Sequence, residues 1–312
     1  MKCARRHACQ FRELLDCEHG GIVNYDVTLM SRDPARLRRT RHFEFVSSRR
    51  CDASSRGYNC SMQILHLDDQ LIVLDKPAGL PVLPDGWDKD APYLVKMLKA
   101  EYGNPSTGSG QGIWIVHRLD KVTSGIIVFA RTAEAHRSLN IQFEKHQVKK
   151  IYHALVEGNP KWDEHTARHP LHADVGHKHR TVVDNRAGKP SVTNFRVLHR
   201  FNGFCLLEAI PETGRTHQIR VHAAELGHPL LGDSLYGTRD TGSGLDMAAM
   251  VEASEADIDP RRLLHPHSSL ISRPALHARS LTFTHPATGE TLTFKAEYPE
   301  DFASALKRAR MD

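Results

Sequence analysis

One carboxylate, Asp120, stands in the stretch IVHRLDKVTSG (residues 115–125), with His117 and Arg118 ahead of it and a Thr-Ser-Gly turn behind. Apolar residues flank it, Trp114, Ile115 and Val116 before and Ile126, Ile127 and Val128 after, so the acid falls at a break between two strand-like runs. Such a carboxylate can close a surface salt bridge, or act on a substrate while a neighbouring guanidinium keeps it ionised. The best partner lies in RTHQIRVHAAELG (215–227). At about 100° per residue, Ile219, Ala223 and Leu226 form a core stripe, with Thr216, Arg220 and Ala224 on the stripe beside it. Arg220 thus sits at the edge of a buried face, where a guanidinium requires an anion to offset its desolvation. Most pairs of this kind are structural, so spacing alone leaves the role of Asp120 open. Tyr152 opens the alternating run YHALVEG, a pattern that assigns it to the core.

Other chemistries fit less well. Ser124 lacks the G-x-S-x-G elbow of a nucleophilic serine. His217 and His222 are five residues apart, which turns their rings away from each other on a helix and suits no metal hydrolase. No G-x-x-x-x-G-K-[ST] or G-x-G-x-x-G phosphate loop occurs. Five of the six cysteines (Cys3, Cys9, Cys17, Cys51 and Cys60) lie in residues 1–61, without a C-x-x-C pair, and Cys3, His7 and Cys9 miss common zinc spacings. The residues call for no cofactor and no metal.

The elements that must position Asp120 begin at Met62. ILHLDDQLIVLDKP reads as two short strands about an Asp-Asp-Gln turn, closed by Pro77. Residues 78–92 are Pro- and Gly-punctuated loop, and 91–102 carry Leu94, Val95, Leu98 and Tyr102 at helical spacing. After a flexible link over 104–112 comes GIIVFART as a buried strand, AEAHRSLNIQFEKHQ as a helix and KKIYHALVEG as an alternating strand. SVTNFRVLHRFNGFCLLEAI is a hairpin turning at Phe201-Asn202-Gly203, and Gly227 stops the helix that holds Arg220. LTFTHPATGETLTFKAEYP is a further hairpin, and EDFASALKRAR a terminal helix. Strands that pair as neighbours with helices between them predict an α+β fold, with a central mixed, largely antiparallel sheet and flanking helices and loops.

Residues 1–61 hold twelve Lys/Arg against seven Asp/Glu, the whole of the formal +5, so the body is neutral and its basicity is local. We expect 1–61 to be a flexible basic extension, and 62–312 a single catalytic domain interrupted by a polar surface insertion at 238–274. No apolar run has the length of a membrane span and no signal peptide is recognisable; a body with one cysteine, Cys205, suits a reducing compartment. The expected protein is a cytoplasmic monomer.

HRLDKVTSG, KKIYHALVEG, ETGRTHQIRVHAAELGHPLLGDSLYG and LHARSLTFTHPATGE, in that order, resemble the motifs of the RluA-type pseudouridine synthases over roughly Ile64–Phe302. The resemblance implies an RNA-binding cleft across a mixed sheet and a substrate uridine in a stem-loop of large-subunit ribosomal RNA, tRNA or both. It implies that Asp120 is the catalytic aspartate, that Tyr152 stacks on the target uracil and that Arg220 pairs with the aspartate. It further implies that Arg118, beside His117, fills the gap left by the flipped uridine and that Ile219 is the apolar neighbour of the site. The first 61 residues do not resemble the S4 RNA-binding domain found in many relatives. Isomerising uridine breaks N1–C1′ and joins C5 to C1′ with no redox change, so no cofactor is implied. An ionised carboxylate can serve by attack at C6, by assisting an oxocarbenium-like departure or by 2′-deprotonation. A non-catalytic RNA-binding protein of this fold, or a nucleoside or glycoside hydrolase, is the alternative; hydrolases usually use two carboxylates.

Overall fold

The computed structural model describes residues 41–45, 60–85, 91–103, 112–176, 180–237 and 270–309. In chain order these form β1 (Arg41–Phe45), β2 (Cys60–Leu67), β3 (Leu71–Lys76), α1 (Leu94–Tyr102), β4 (Trp114–Ile115), β5 (Ser124–Ala130) and α2 (Ala133–Glu144). There follow β6 (Lys149–Glu157), β7 (Glu164–Ala167), β8 (Leu171–Val175), β9 (Arg180–Val183), β10 (Thr193–Arg200), β11 (Phe204–Pro211) and α3 (Gln218–Glu225). The chain then adds β12 (Leu276–Thr284), β13 (Thr291–Lys295) and α4 (Glu300–Ala309).

Eleven strands make one sheet, ordered β1-β2-β3-β5-β12-β6-β11-β10-β7, with β4 beside β5 and β13 beside β12. Its neighbours pair antiparallel except β5 and β12, which run parallel. The expected mixed, largely antiparallel sheet is what forms. β8 and β9 make a separate two-stranded sheet.

The period of two in each strand decides what covers the sheet. Ile72 and Leu74 of β3, with Ile127 and Phe129 of β5, pack under Leu94, Val95 and Leu98 of α1. The alternate residues Leu71, Val73, Ile126 and Val128 face Ala135 and Leu139 of α2. In the other half, Ala154, Val156, Cys205 and Leu207 meet Ile219 and Ala223 of α3, while Leu155 and Leu206 meet Phe302, Ala305 and Leu306 of α4. Both faces of the central strands are therefore covered, so β6 is central rather than half-exposed as its alternation suggests. α2 begins where Thr132 Oγ1 accepts the Ala135 amide at 3.1 Å, with Glu134 in its first turn.

Two junctions hold the halves together. β5 and β12 meet at Ser124–Gly125 against His277–Ala278, directly after the Asp120 loop. Gly125 has φ +111, and a Cβ there would collide with the Ala278 backbone, so only glycine permits this approach. At the opposite end of β5, Asp68 Oδ2 accepts from His66 Nε2 (2.7 Å) and His285 Nε2 (2.9 Å). His285 Nδ1 accepts the Ala287 and Thr288 amides, which puts the ring proton on Nε2 facing the carboxylate. The three side chains are thus a hydrogen-bonded clamp between two hairpin tips. Burial raises the Asp68 pKa, but the bonds from His66, Gln70, Leu71 and His285 win and hold it well below the usual range.

Three features differ from expectation. β1 pairs with β2 at Arg41–Phe45, so the sheet reaches into the segment expected to be a flexible extension. Residues 159–190, with no assigned pattern, supply β7, β8 and β9. The helix expected over 215–227 starts only at Gln218, because His217 is left-handed (φ 53). Residues 238–269, Cys3, His7 and Cys9, and 86–90 lie outside the described residues. The end of the expected insertion is fixed: Ile271 is buried, and Arg273 bonds Asp301 at 2.6 and 2.9 Å.

Asp75 shares the α2-facing side of β3 and carries a cost. Burial pushes its carboxyl up to about 6, against the opposing charges of Lys76 and Arg279 and with that of Glu297. A folded pKa above the unfolded one favours the fold while the group is protonated, below about 4, and that contribution is lost as pH rises through 6. Asp75→Asn is therefore expected to stabilise the protein by about 2 kcal/mol at pH 7.5 and by little at pH 4. Thermal melts at the two pH values check this; equal shifts at both would refute it.

Candidate active site

Asp120 is presented by a loop held from three sides. The buried Leu119 anchors it to the α1 core, the Thr123 amide bonds the Asp120 carbonyl at 3.1 Å, and the Gly79 amide bonds that of Lys121 at 2.8 Å. Lys76 is fully buried, and its Nζ donates to the carbonyls of Pro77 (2.9 Å), Leu80 (2.9 Å) and Lys121 (3.2 Å). This ammonium ties the end of β3, the 77–80 loop and the Asp120 loop to one point.

Asp120, Arg118, His117, Tyr152, Ile219 and Arg220 all line one cleft of about 550 Å³. Six residues spread over 104 positions of sequence thus converge, because β4–β5, β6 and α3 meet where the two sheet halves join. Tyr152 packs against both the α1-side and α3-side apolar clusters, at the seam between them. Burial first, and then the Asp120 charge, raise its pKa, so it is a neutral phenol. Ile219 is buried in the α3 core, while Arg118 is exposed at the mouth.

The Asp120–Arg220 pair differs from expectation. Arg220 Nη1 is 4.0 Å from Asp120 Oδ2, whereas Nε and Nη2 make a bidentate pair with Asp233 at 2.7 and 2.8 Å. The guanidinium lies over the Tyr236 ring at 4.9 Å. Burial opposes the Arg220 charge, but the bond and charge of Asp233, with Asp120 and Tyr236 behind them, raise its pKa. Arg220 is therefore neutralised from behind by Asp233 and turns one remaining N–H edge toward Asp120.

His117 is a neutral donor rather than a proton carrier. The Val128 amide donates to its Nε2 at 3.1 Å, and its ring stacks on Phe143 at 4.8 Å. Burial, and then the charge of Lys150, push its pKa down to about 3, which leaves the ring proton on Nδ1. Lys150, not foreseen, also lines the cleft; it donates to the Thr213 carbonyl at 3.0 Å, and burial draws its pKa down to about 8. His217 and His222 are separated as their spacing predicts: His222 is buried against Thr193, Ser191 and the His169 carbonyl, while His217 faces the cleft. Asp233 and Tyr236 come from GDSLYG, where no helical or strand period marks them; their closeness to Arg220 was not readable from spacing.

Asp120, Tyr152 and Arg220 thus share one cleft at the central seam of a mixed sheet, with Glu144 and Glu212 exposed on its rim. The chain belongs to the RNA pseudouridylate synthase family, whose model matches residues 70–225. It is 38% identical over 263 residues to the ribosomal large subunit pseudouridine synthase D of Nitrosomonas europaea, covering 83% of this chain and 68% of that one. To the protein of the same name from Pseudomonas aeruginosa it is 37% identical, over 80% of this chain and 72% of that one. Among solved structures, human RNA pseudouridylate synthase domain containing 4 superposes with a TM-score of 0.57 at 28% identity, covering 79% of this chain and 92% of its own. Human RNA pseudouridylate synthase domain containing 1 shares the fold, with a TM-score of 0.55 at 24% identity. No helix among the described residues is long and apolar enough to cross a membrane.

Proposed function

We propose that this protein converts specific uridines of large-subunit ribosomal RNA to pseudouridine, with Asp120 as the acting carboxylate. One observation carries this reading. Asp120 lies at the base of a cleft with an aromatic wall, Tyr152, and its two oxygens face Arg220 and His217 at 4.0 Å each. Glu144 and Glu212 also line that cleft but are exposed on its rim, which does not supply the paired carboxylates of a glycoside hydrolase. The relatives' names supply the choice of RNA.

The reaction breaks N1–C1′, turns the base and joins C5 to C1′; the proton lost from C5 is balanced by one gained at N1. The uridine must leave its stack to be reached. Tyr152 then offers a neutral ring for the base to stack on, and Ile219 an apolar neighbour. Among the described residues Arg118 has no hydrogen-bonded or ion-paired partner, which suits a side chain that enters the RNA where the base has left. His117 Nδ1 is a fixed donor, and the Arg220 guanidinium faces Asp120 Oδ2 from 4.0 Å and aims the carboxylate. In this reading residues 62–312 are the catalytic domain, residues 1–61 extend it, and the protein acts in the cytoplasm as a monomer, without metal or cofactor.

Large-subunit ribosomal RNA carrying [5-³H]uridine tests the proposal. Tritium is expected in water with no free uracil, and binding is expected to weaken steeply with salt as phosphate contacts release counterions. Free uracil would establish a hydrolase instead, and binding without tritium release would establish a non-catalytic RNA-binding protein.

A further inference from the structure

His217 has φ 53 and ψ 18, the left-handed region that few residues besides glycine adopt, with asparagine, aspartate and histidine the commonest of them. Such strain persists only where the surroundings hold it, and it clusters at functional sites. The surroundings here are specific. The Tyr236 hydroxyl accepts the Thr181 amide at 2.8 Å and is 2.9 Å from His217 Nδ1. In the tautomer that uses the hydroxyl proton, Tyr236 donates to Nδ1 and a neutral His217 carries its own proton on Nε2. Burial lowers the His217 pKa; Asp120 and Asp233 oppose this while Arg220 and Arg118 add to it, and the ring is neutral. Nε2 points at Asp120 Oδ1 from 4.0 Å, on the side of the carboxylate opposite Arg220.

We propose that His217 is a positioning residue for Asp120: fixed by Tyr236, its Nε2–H orients Oδ1 while Arg220 orients Oδ2. The inference rests on the reading of Asp120 as the acting carboxylate. A separation of 4.0 Å admits no direct bond in the free protein. Contacts of this kind shorten when substrate excludes water from the cleft, and the donor then sets the plane from which the carboxylate acts. The left-handed backbone is what aims the ring, since a helical residue at 217 would extend α3 and carry the side chain off along its first turn.

Two substitutions separate this role from a merely structural one. Asparagine is at ease in the left-handed region but too short to reach Oδ1; glutamine is strained there but can place an N–H where Nε2 stands. Positioning predicts that His217→Gln keeps more kcat than His217→Asn, with both KM values for RNA within about threefold of wild type. A backbone role alone predicts the reverse order of kcat, following the melting temperatures. Tyr236→Phe supplies a second readout: its loss of kcat is expected to be non-additive with that of His217→Gln. Wild-type kcat in His217→Asn, or a kcat order that tracks stability, would overturn the proposal. Asp120→Asn measured in parallel keeps the two readings apart. If that variant turns over, the assignment of Asp120 fails; if it is inactive and His217 variants are not impaired, only the present inference fails.

Discussion

Asp120→Asn is expected to lower kcat by roughly a thousandfold or more while the Kd for RNA stays within about threefold. Asparagine keeps the shape and the donors on either side, but it cannot act as a nucleophile or take a proton. The loop itself has little reason to move. Its fixed points are the buried Leu119, the Thr123 amide on the Asp120 carbonyl and the Lys76 and Gly79 bonds to the Lys121 carbonyl, and none of these involves the carboxylate. In the proposed reading RNA binding draws on groups elsewhere, among them the exposed Arg118 and the partly buried Lys150 of the cleft. Turnover should fall while binding and melting temperature hold. Single-turnover kinetics with a filter-binding isotherm on the same preparation measure both; turnover within tenfold of wild type would remove Asp120 from the reaction.

The elements read from sequence were those whose pattern is local. α1, α2, α4 and the Phe201–Gly203 hairpin follow from periodicity and turn chemistry, whereas the edge position expected for Arg220 does not hold, because Gln218 through Ala223 of α3 are all buried. The strand run GIIVFA reads as buried because β5 is covered by α1 on one face and α2 on the other. The unread parts depend on contacts between segments. β8 and β9 lack a continuous apolar stripe, since His172–Val175 are exposed, and the pair stands apart from the large sheet. The left-handed turn at His217 has no glycine or asparagine to announce it, and its ring is hydrogen-bonded to Tyr236 from 19 residues away. Lys76 reads as a strand end, and its burial becomes intelligible only when carbonyls of two other loops converge on it. Asp233 is a similar case: an acid in a loop becomes the principal partner of Arg220 because the chain folds back beneath α3.

That pair leads to the largest expected loss of stability. Asp233→Asn is expected to destabilise the protein by about 3–5 kcal/mol, because the carboxylate side chain is fully buried and its removal leaves a buried guanidinium without its bidentate partner. Asparagine can still accept the Leu235 and Tyr236 amides that Asp233 Oδ1 holds at 3.1 and 3.2 Å, so the loss falls on the ion pair. Among the described residues the freed guanidinium has one nearby anion, Asp120, across 4.0 Å. Closing that gap would engage the Asp120 lone pairs and turn the carboxylate away from substrate, so kcat should fall as well. Arg220→Met combined with Asp233→Asn removes the orphaned charge and should recover about 2 kcal/mol relative to Asp233→Asn alone. Turnover should not recover, because the cation facing Asp120 is gone. Denaturant melts and tritium release on the two variants decide the matter. A single-variant cost below about 1 kcal/mol, or a double variant less stable than Asp233→Asn, would show that Asp233 does not carry the Arg220 charge.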